Sequence, residues 1–289
     1  MLYLIAALLI WSSSFVAAKY AYTMLDPALM VEARLLIAAL LALPFCRRHF
    51  GKIPKNKRKT LLWLVFVNYV LVLLGQFIGV KYTSAASAAT IVGLEPVLMV
   101  FVGHFFFRDK AAWYHWVCGL AAFAGVAVMI AGGSEAGGGI DLRGCLLVLL
   151  SGFAFSMVFR PTQKFIAEVG APAFSAVSFV AAAVLCLPFS LLLAESYRIN
   201  WNWQGMAALL YLGVGASWLA YRLWNKGIGS VSANVSGILT ALEPVFGVCM
   251  AVLLLGERIS PVSGIGIFIV ISATFFAVLI PKIILKNNR

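Results

Sequence analysis

The chain has 289 residues, of which 63% are hydrophobic and 11% charged, with a mean hydropathy of +1.00. A soluble domain carries roughly 25% charged residues, so a water-soluble globule is excluded, and so are a disordered chain and a disulfide-stapled scaffold. The net charge of +12 would suggest nucleic acid in a soluble protein, but here the basic residues sit in short breaks between apolar runs. Ten such runs are predicted in chain order, at about 2–21, 28–46, 61–80, 84–107, 113–131, 142–160, 172–193, 205–225, 232–255 and 262–281. Each is long enough to cross about 30 Å of hydrocarbon as a helix, and none shows the short alternating pattern of a barrel strand.

The breaks set the orientation. The first run lacks a basic leader and a small-residue cleavage site, and reads as a retained first span. After the second run comes Arg47, Arg48, Lys52, Lys55, Lys57, Arg58 and Lys59, without aromatic residues placed to stack bases, so it reads as a topogenic signal. With the N-terminus inside, sixteen basic residues fall on the cytoplasmic side and five (Lys19, Lys81, Arg143, Arg198, Arg258) on the other. A multi-pass protein of the inner (plasma) membrane with both termini in the cytoplasm follows. Five scattered cysteines and three histidines make no metal or redox motif. Trp113, Trp116, Trp201 and Trp203 flank polar breaks as interfacial belt residues.

The chain repeats itself at an offset of 148 residues. Leu94-Glu95-Pro96-Val97 recurs as Leu242-Glu243-Pro244-Val245, Arg108-Asp109-Lys110 answers Gly256-Glu257-Arg258, and Ser84-Ala85 answers Ser232-Ala233. Five runs per unit would reverse the sense of the second unit, giving two five-helix repeats of inverted topology: residues 1–131, a Gly-rich linker at 132–141, and residues 142–289.

Candidate functional residues are ionisable groups inside runs and polar helical faces. Glu95 and Glu243 fall near mid-bilayer, each before a proline (Pro96, Pro244) that leaves a backbone carbonyl unpaired. They read either as a proton, cation or substrate-amine site, or as braces for the kinks. Arg34 is a candidate partner for a substrate carboxylate or an acidic gate residue. Glu32, on a nearly opposite face, reads as an interfacial carboxylate. In the eighth run Tyr211, Gly215, Trp218, Arg222 and Asn225 share one face at ideal helical spacing and form a candidate cavity wall, or else a packing face. Asn68 with Gln76 in the third run, and Trp11 and Ser14 in the first, complete the candidate substrate contacts.

With Trp11-Ser12-Ser13-Ser14-Phe15, Arg34 and the paired Glu-Pro segments in place, the whole chain resembles the EamA-type branch of the drug/metabolite transporter superfamily. The resemblance implies an all-α integral membrane protein of ten transmembrane helices, acting as a secondary transporter and exporter of amino acids or related metabolites. It implies no cofactor. The expected partners are a small-molecule substrate, the bilayer, and protons as coupling ion, in a monomer or homodimer that binds no nucleic acid. The first copy departs from the family in ending Arg108-Asp109 rather than Gly-Glu. The alternatives are an intramembrane lipid-modifying enzyme, which would need clustered carboxylates or a histidine site, and a channel.

Overall fold

A computed structural model describes residues 2–132, 141–228, 240 and 243–287, with side chains for all of these except 228 and 281–287. The Gly-rich stretch 133–140 and the 232–239 part of the ninth run, Ser232 and Ala233 included, lie outside the described residues.

The protein is an all-α membrane protein of ten helices. Among the described residues nine are long and apolar enough to cross a bilayer: α1 Leu2–Ala21, α2 Pro27–His49, α3 Lys55–Tyr82, α4 Ala85–Phe106, α5 Trp113–Gly132, α6 Leu142–Val169, α7 Ala171–Leu193, α8 Trp203–Gly227 and α10 Pro261–Asn287. The tenth, α9, is described over Glu243–Leu255. Short polar residues start them, because the first N–H groups of a helix have no partner within it. Asp26 accepts from Ala28 N at 2.9 Å with Pro27 in the first turn, Asp141 accepts from Arg143 N at 2.8 Å, and Asn202 accepts from Gly205 N at 2.6 Å.

The helices pair across the two halves of the chain. α5 packs on α10, α2 on α7 and α4 on α9, while α3 packs on α6 and α1 on α8. Exchanging the first five helices for the second five leaves this set of pairs unchanged. In lipid such pairs are held by close packing rather than by expulsion of water, which favours small residues at the contacts. At α5–α10, a Cβ on Gly125 would stand 2.9 Å from the Gly266 carbonyl oxygen, and one on Gly266 would stand 2.6 Å from that of Gly125. Gly79 and Gly144 make the same reciprocal contact between α3 and α6, at 2.8 and 2.7 Å.

Three irregularities shape the interior. α3 carries a π-helical segment at Phe66–Leu71 and α8 one at Tyr211–Leu219, and each wide turn displaces the residues after it from their ideal α-helical face. α4 breaks at Gly93–Leu94 and restarts at Glu95. The ends of α4 and α9 form matching turns: Arg108 (φ 60°) and Gly256 (φ 65°) are left-handed. Beyond them Asp109 N donates to Gly103 O at 2.9 Å and Glu257 N to Ala251 O at 3.4 Å. All three pairs keep the 148-residue offset. This is the six-to-one closure that ends a helix, and glycine is its usual left-handed residue; the first copy makes it with an arginine.

Candidate substrate cavity

A cavity enclosing about 580 Å³ of empty space, its mouth included, lies where helices from both halves meet. α1 contributes Trp11, Ser14 and Phe15, and α3 contributes Gln76 and Phe77. The ionisable groups come from three different helices: Arg34 from α2, Glu95 from the restart of α4, and Glu243 from the start of α9. Phe155 of α6, Tyr221 and Trp224 of α8, and Thr240 also line it, with Val72, Leu73 and Val92 as aliphatic wall.

Arg34 is 1% exposed, yet no carboxylate lies within ion-pair range of it among the described residues. Its Nε donates to Ser217 Oγ at 2.8 Å, its guanidinium lies 4.6 Å from the centre of the Phe77 ring, and Nη1 has no partner. A buried guanidinium left this way is costly, and a planar anion would satisfy it. Glu95 and Glu243 are 8% and 7% exposed. The two Glu-Pro segments touch: a Cβ on Gly93 would stand 2.6 Å from Cγ of Pro244, so only glycine lets the α4 break seat against the start of α9. Ser12 Oγ donates to the Glu243 carbonyl at 3.2 Å and ties that start to α1. Pro96 and Pro244 are both buried in the first turns of their helices, where a missing N–H costs nothing.

Trp11 is held in place by its indole, which donates to Ala216 O at 3.0 Å inside the π-helical segment of α8. Its ring centre lies 4.9 Å from that of Tyr221 and 5.2 Å from that of Trp224. Ser14 Oγ donates to Trp11 O at 2.6 Å. The wall beside the charged groups is therefore an aromatic cluster drawn from α1 and α8.

The stripe proposed for α8 does not form one wall. Tyr211 packs on α1, its hydroxyl 2.5 Å from Ser13 Oγ, and lies outside the cavity. Trp218 and Arg222 line a separate cleft, with Phe45 and Pro172. Asn225 donates to Ser175 Oγ at 2.8 Å and lines a third cavity, with Asn68, Tyr69 and Thr162. Asn68 Nδ2 donates to Leu64 O at 2.9 Å and Thr162 Oγ1 at 3.0 Å. The π-helical turns at Tyr211–Leu219 shift Tyr211 out of phase with the later members of the stripe, whereas Arg222 and Asn225, on the regular helix beyond them, are divided between two cavities by the helices packed around α8. Tyr221 and Trp224, three apart, take the place facing the cavity of Arg34; as an aromatic pair at helical spacing they were visible in the sequence, but their orientation was not. Phe155, Tyr221 and Trp224 line both the cavity of Arg34 and the third one, so these rings partition two adjoining chambers. Glu32 is covered by protein. It is 5% exposed with both carboxylate oxygens unpartnered, beside Cys186 and Ser190 of α7.

The comparisons fit this architecture. A solved crystal structure with 20% sequence identity superposes with a TM-score of 0.68, covering 98% of this chain and 97% of that one. An uncharacterized transporter of Archaeoglobus fulgidus is 25% identical over 277 residues, 95% of each chain. One of Haemophilus influenzae is 53% identical over 141 residues, 48% of this chain and 83% of the relative. A protein of Chlamydia muridarum named S-adenosylmethionine/S-adenosylhomocysteine transporter is 24% identical over 273 residues, 87% of this chain and 83% of its own. Residues 1–131, and again residues 142–279, match the family described as EamA-like transporters, and the chain belongs to that family.

Proposed function

We propose that the protein is a secondary transporter that exports small polar metabolites of the amino-acid type across the inner membrane by alternating access. The observation that carries the reading is Arg34, a buried guanidinium with an unused donor, lining the same cavity as Glu95 and Glu243. A cation facing two carboxylates across aromatic walls complements a zwitterion: the substrate carboxylate takes Nη1 of Arg34, its ammonium faces the glutamates, and its apolar part lies on Trp11, Tyr221 and Trp224. The relatives named for S-adenosylmethionine, itself an amino acid with an added cationic centre, agree with that chemistry.

The exchange symmetry of the helix pairs, the matching turns at Arg108 and Gly256, and the double family match support two inverted five-helix repeats, residues 1–131 and 142–289. A site between such repeats opens alternately to the two sides as they rock. Under the N-inside orientation the outer end is shut. There Glu257 accepts from Ala85 N at 2.8 Å and Ala86 N at 3.0 Å, and Lys19 Nζ donates to Val80 O at 2.7 Å and Thr83 O at 2.6 Å. Protonation of Glu95 or Glu243 supplies the coupling step. An intramembrane enzyme is the weaker reading, since the pattern of charges suits binding a zwitterion better than activating a nucleophile.

Counterflow into proteoliposomes tests this. Labelled amino acids, their decarboxylated amines, their methyl esters and S-adenosyl compounds are compared, with terminal tags reporting orientation in cells. Saturable counterflow that fails for amines and esters is expected. Equal transport of amines would remove Arg34 from recognition, and no counterflow with any member of the panel would overturn the reading.

A further inference from the structure

The cleft that receives Trp218 and Arg222 is separate from the substrate cavity and has a chemistry of its own. It encloses about 290 Å³ between the basic end of α2, the first turns of α7 and the second half of α8. Its walls are mostly apolar (Ala42, Phe45, Pro172, Ala176, Phe179) with His49 and Ser175 among them, and no carboxylate lines it, so the Arg222 guanidinium is its fixed charge. Arg222 is exposed, with Cζ 4.7 Å from the Trp218 ring centre and 5.1 Å from that of Phe45, so the cation is clamped between a ring of α8 and a ring of α2. The guanidinium makes no ion pair among the described residues and keeps its planar donor edge free. Nε1 of Trp218 is buried and has no acceptor. The cleft thus offers a free guanidinium edge beside an unpartnered indole N–H buried in its wall, and no carboxylate, at a place where the chain carries Arg47, Arg48 and Lys52 close by.

The occupant must bring an anionic oxygen cluster and an apolar body, and it must reach the cleft from the bilayer. One helical turn away, toward the middle of the membrane, Leu41 on α2 and Val214 on α8 are exposed, continuing the apolar surface from Phe45 and Trp218. The start of α7, a helix of 23 residues whose first turn contains the lining Pro172, adds the positive end of its dipole. We infer that this cleft is a binding site for one anionic phospholipid, its phosphate on Arg222 and Trp218 and its acyl chain along Phe45 and Leu41. A zwitterionic lipid presents the same phosphate together with an ammonium group that the surrounding arginines and lysines repel, which gives the site its selectivity.

The full-length protein in phosphatidylcholine nanodiscs carrying increasing fractions of chain-brominated phosphatidylglycerol tests the inference. The readout is tryptophan quenching, and the part due to Trp218 is the difference between the wild type and Trp218→Phe. That part is expected to saturate at a low fraction of the anionic lipid. Arg222→Gln is expected to require at least five-fold more, Arg222→Lys less than that, and soluble glycerol phosphate is expected not to compete. Both variants are first required to elute as a single species with an unchanged Tm, and the wild-type headgroup comparison stands without them. Quenching of Trp218 that rises in proportion to brominated lipid of either headgroup would overturn the inference, leaving only a bilayer-facing ring. Competition by glycerol phosphate would overturn it in favour of a soluble anion.

Discussion

Ser217 Oγ accepts the only hydrogen bond that Arg34 makes to the described residues, at 2.8 Å, and it does so from within the π-helical segment of α8. The buried cation of the first half is thus fixed by the irregular helix of the second, and its Nη1 is left without a partner.

Arg34→Lys tests that arrangement, because an ammonium keeps the charge but cannot both hold Ser217 and present a planar donor pair. A loss of roughly 2–5 kcal/mol in substrate affinity is expected, as for an unpaired buried charge contact. The check is the half-saturating concentration in counterflow. An unchanged value for every transported substrate would place Arg34 in a structural role alone.

Glu95→Gln and Glu243→Gln keep shape while removing the titrating charge. Gradient-driven net transport is expected to fall while counterflow persists, with the larger effect at Glu243. If the carboxylates only brace the helix starts, both Gln variants will be silent in both assays, and Pro96→Ala or Pro244→Ala will carry the greater loss.

Gly93→Ala places a methyl group 2.6 Å from Cγ of Pro244, inside van der Waals contact with a rigid ring. Separating the two segments should cost about 1–3 kcal/mol, the usual range for overpacking a close contact. A lowered Tm in detergent together with weakened transport is expected; wild-type values of both would show that the α4 break does not rest on α9.

Arg108 holds a left-handed φ of 60°, where the second copy has Gly256 at 65°. Arg108→Gly should therefore stabilise by about 1 kcal/mol, and Gly256→Ala should destabilise by a similar amount. Thermal unfolding of the two variants gives the sign directly, and the same sign for both would contradict a matched pair of turns.

Just beyond the end of α7 Glu195 accepts from Lys81 Nζ at 2.5 Å and from the Tyr82 hydroxyl, and these bonds hold its carboxyl below the usual carboxylate range. A depressed acid stabilises the fold above its unfolded pKa, and loses that contribution as pH falls through the folded value. The Tm difference between wild type and Glu195→Gln should accordingly shrink on acidification below about pH 4, the ordinary range for a glutamate. It should stay small throughout, because the Glu195 side chain is 58% exposed and solvent screens the pair. A difference that grows with acid would reverse the assignment.

The sequence by itself determined the class of molecule, the positions of the spans and the 148-residue echo, because hydrocarbon imposes a length and an apolar composition on any crossing helix. It also pointed to Arg34, Glu95, Glu243, Trp11, Ser14 and Gln76, since charge and amide in an apolar run stand out without knowledge of their neighbours. Only the tertiary structure decided which of them meet. The face on α8 was drawn from ideal helical spacing; the π-helical turns at Tyr211–Leu219 take Tyr211 out of its phase, and the helices packed around α8 assign Trp218 and Arg222 to one cleft, Asn225 to another, and Tyr221 with Trp224 to the cavity of Arg34. The burial of Glu32 against α7 was likewise hidden, because nearness to a span end reads as access to water until the packing of a second helix closes it. Local composition sets whether a segment enters the membrane. The address of each side chain is set by the helices that pack around it and, in α3 and α8, by the π-helical turns that shift the phase of the residues on either side.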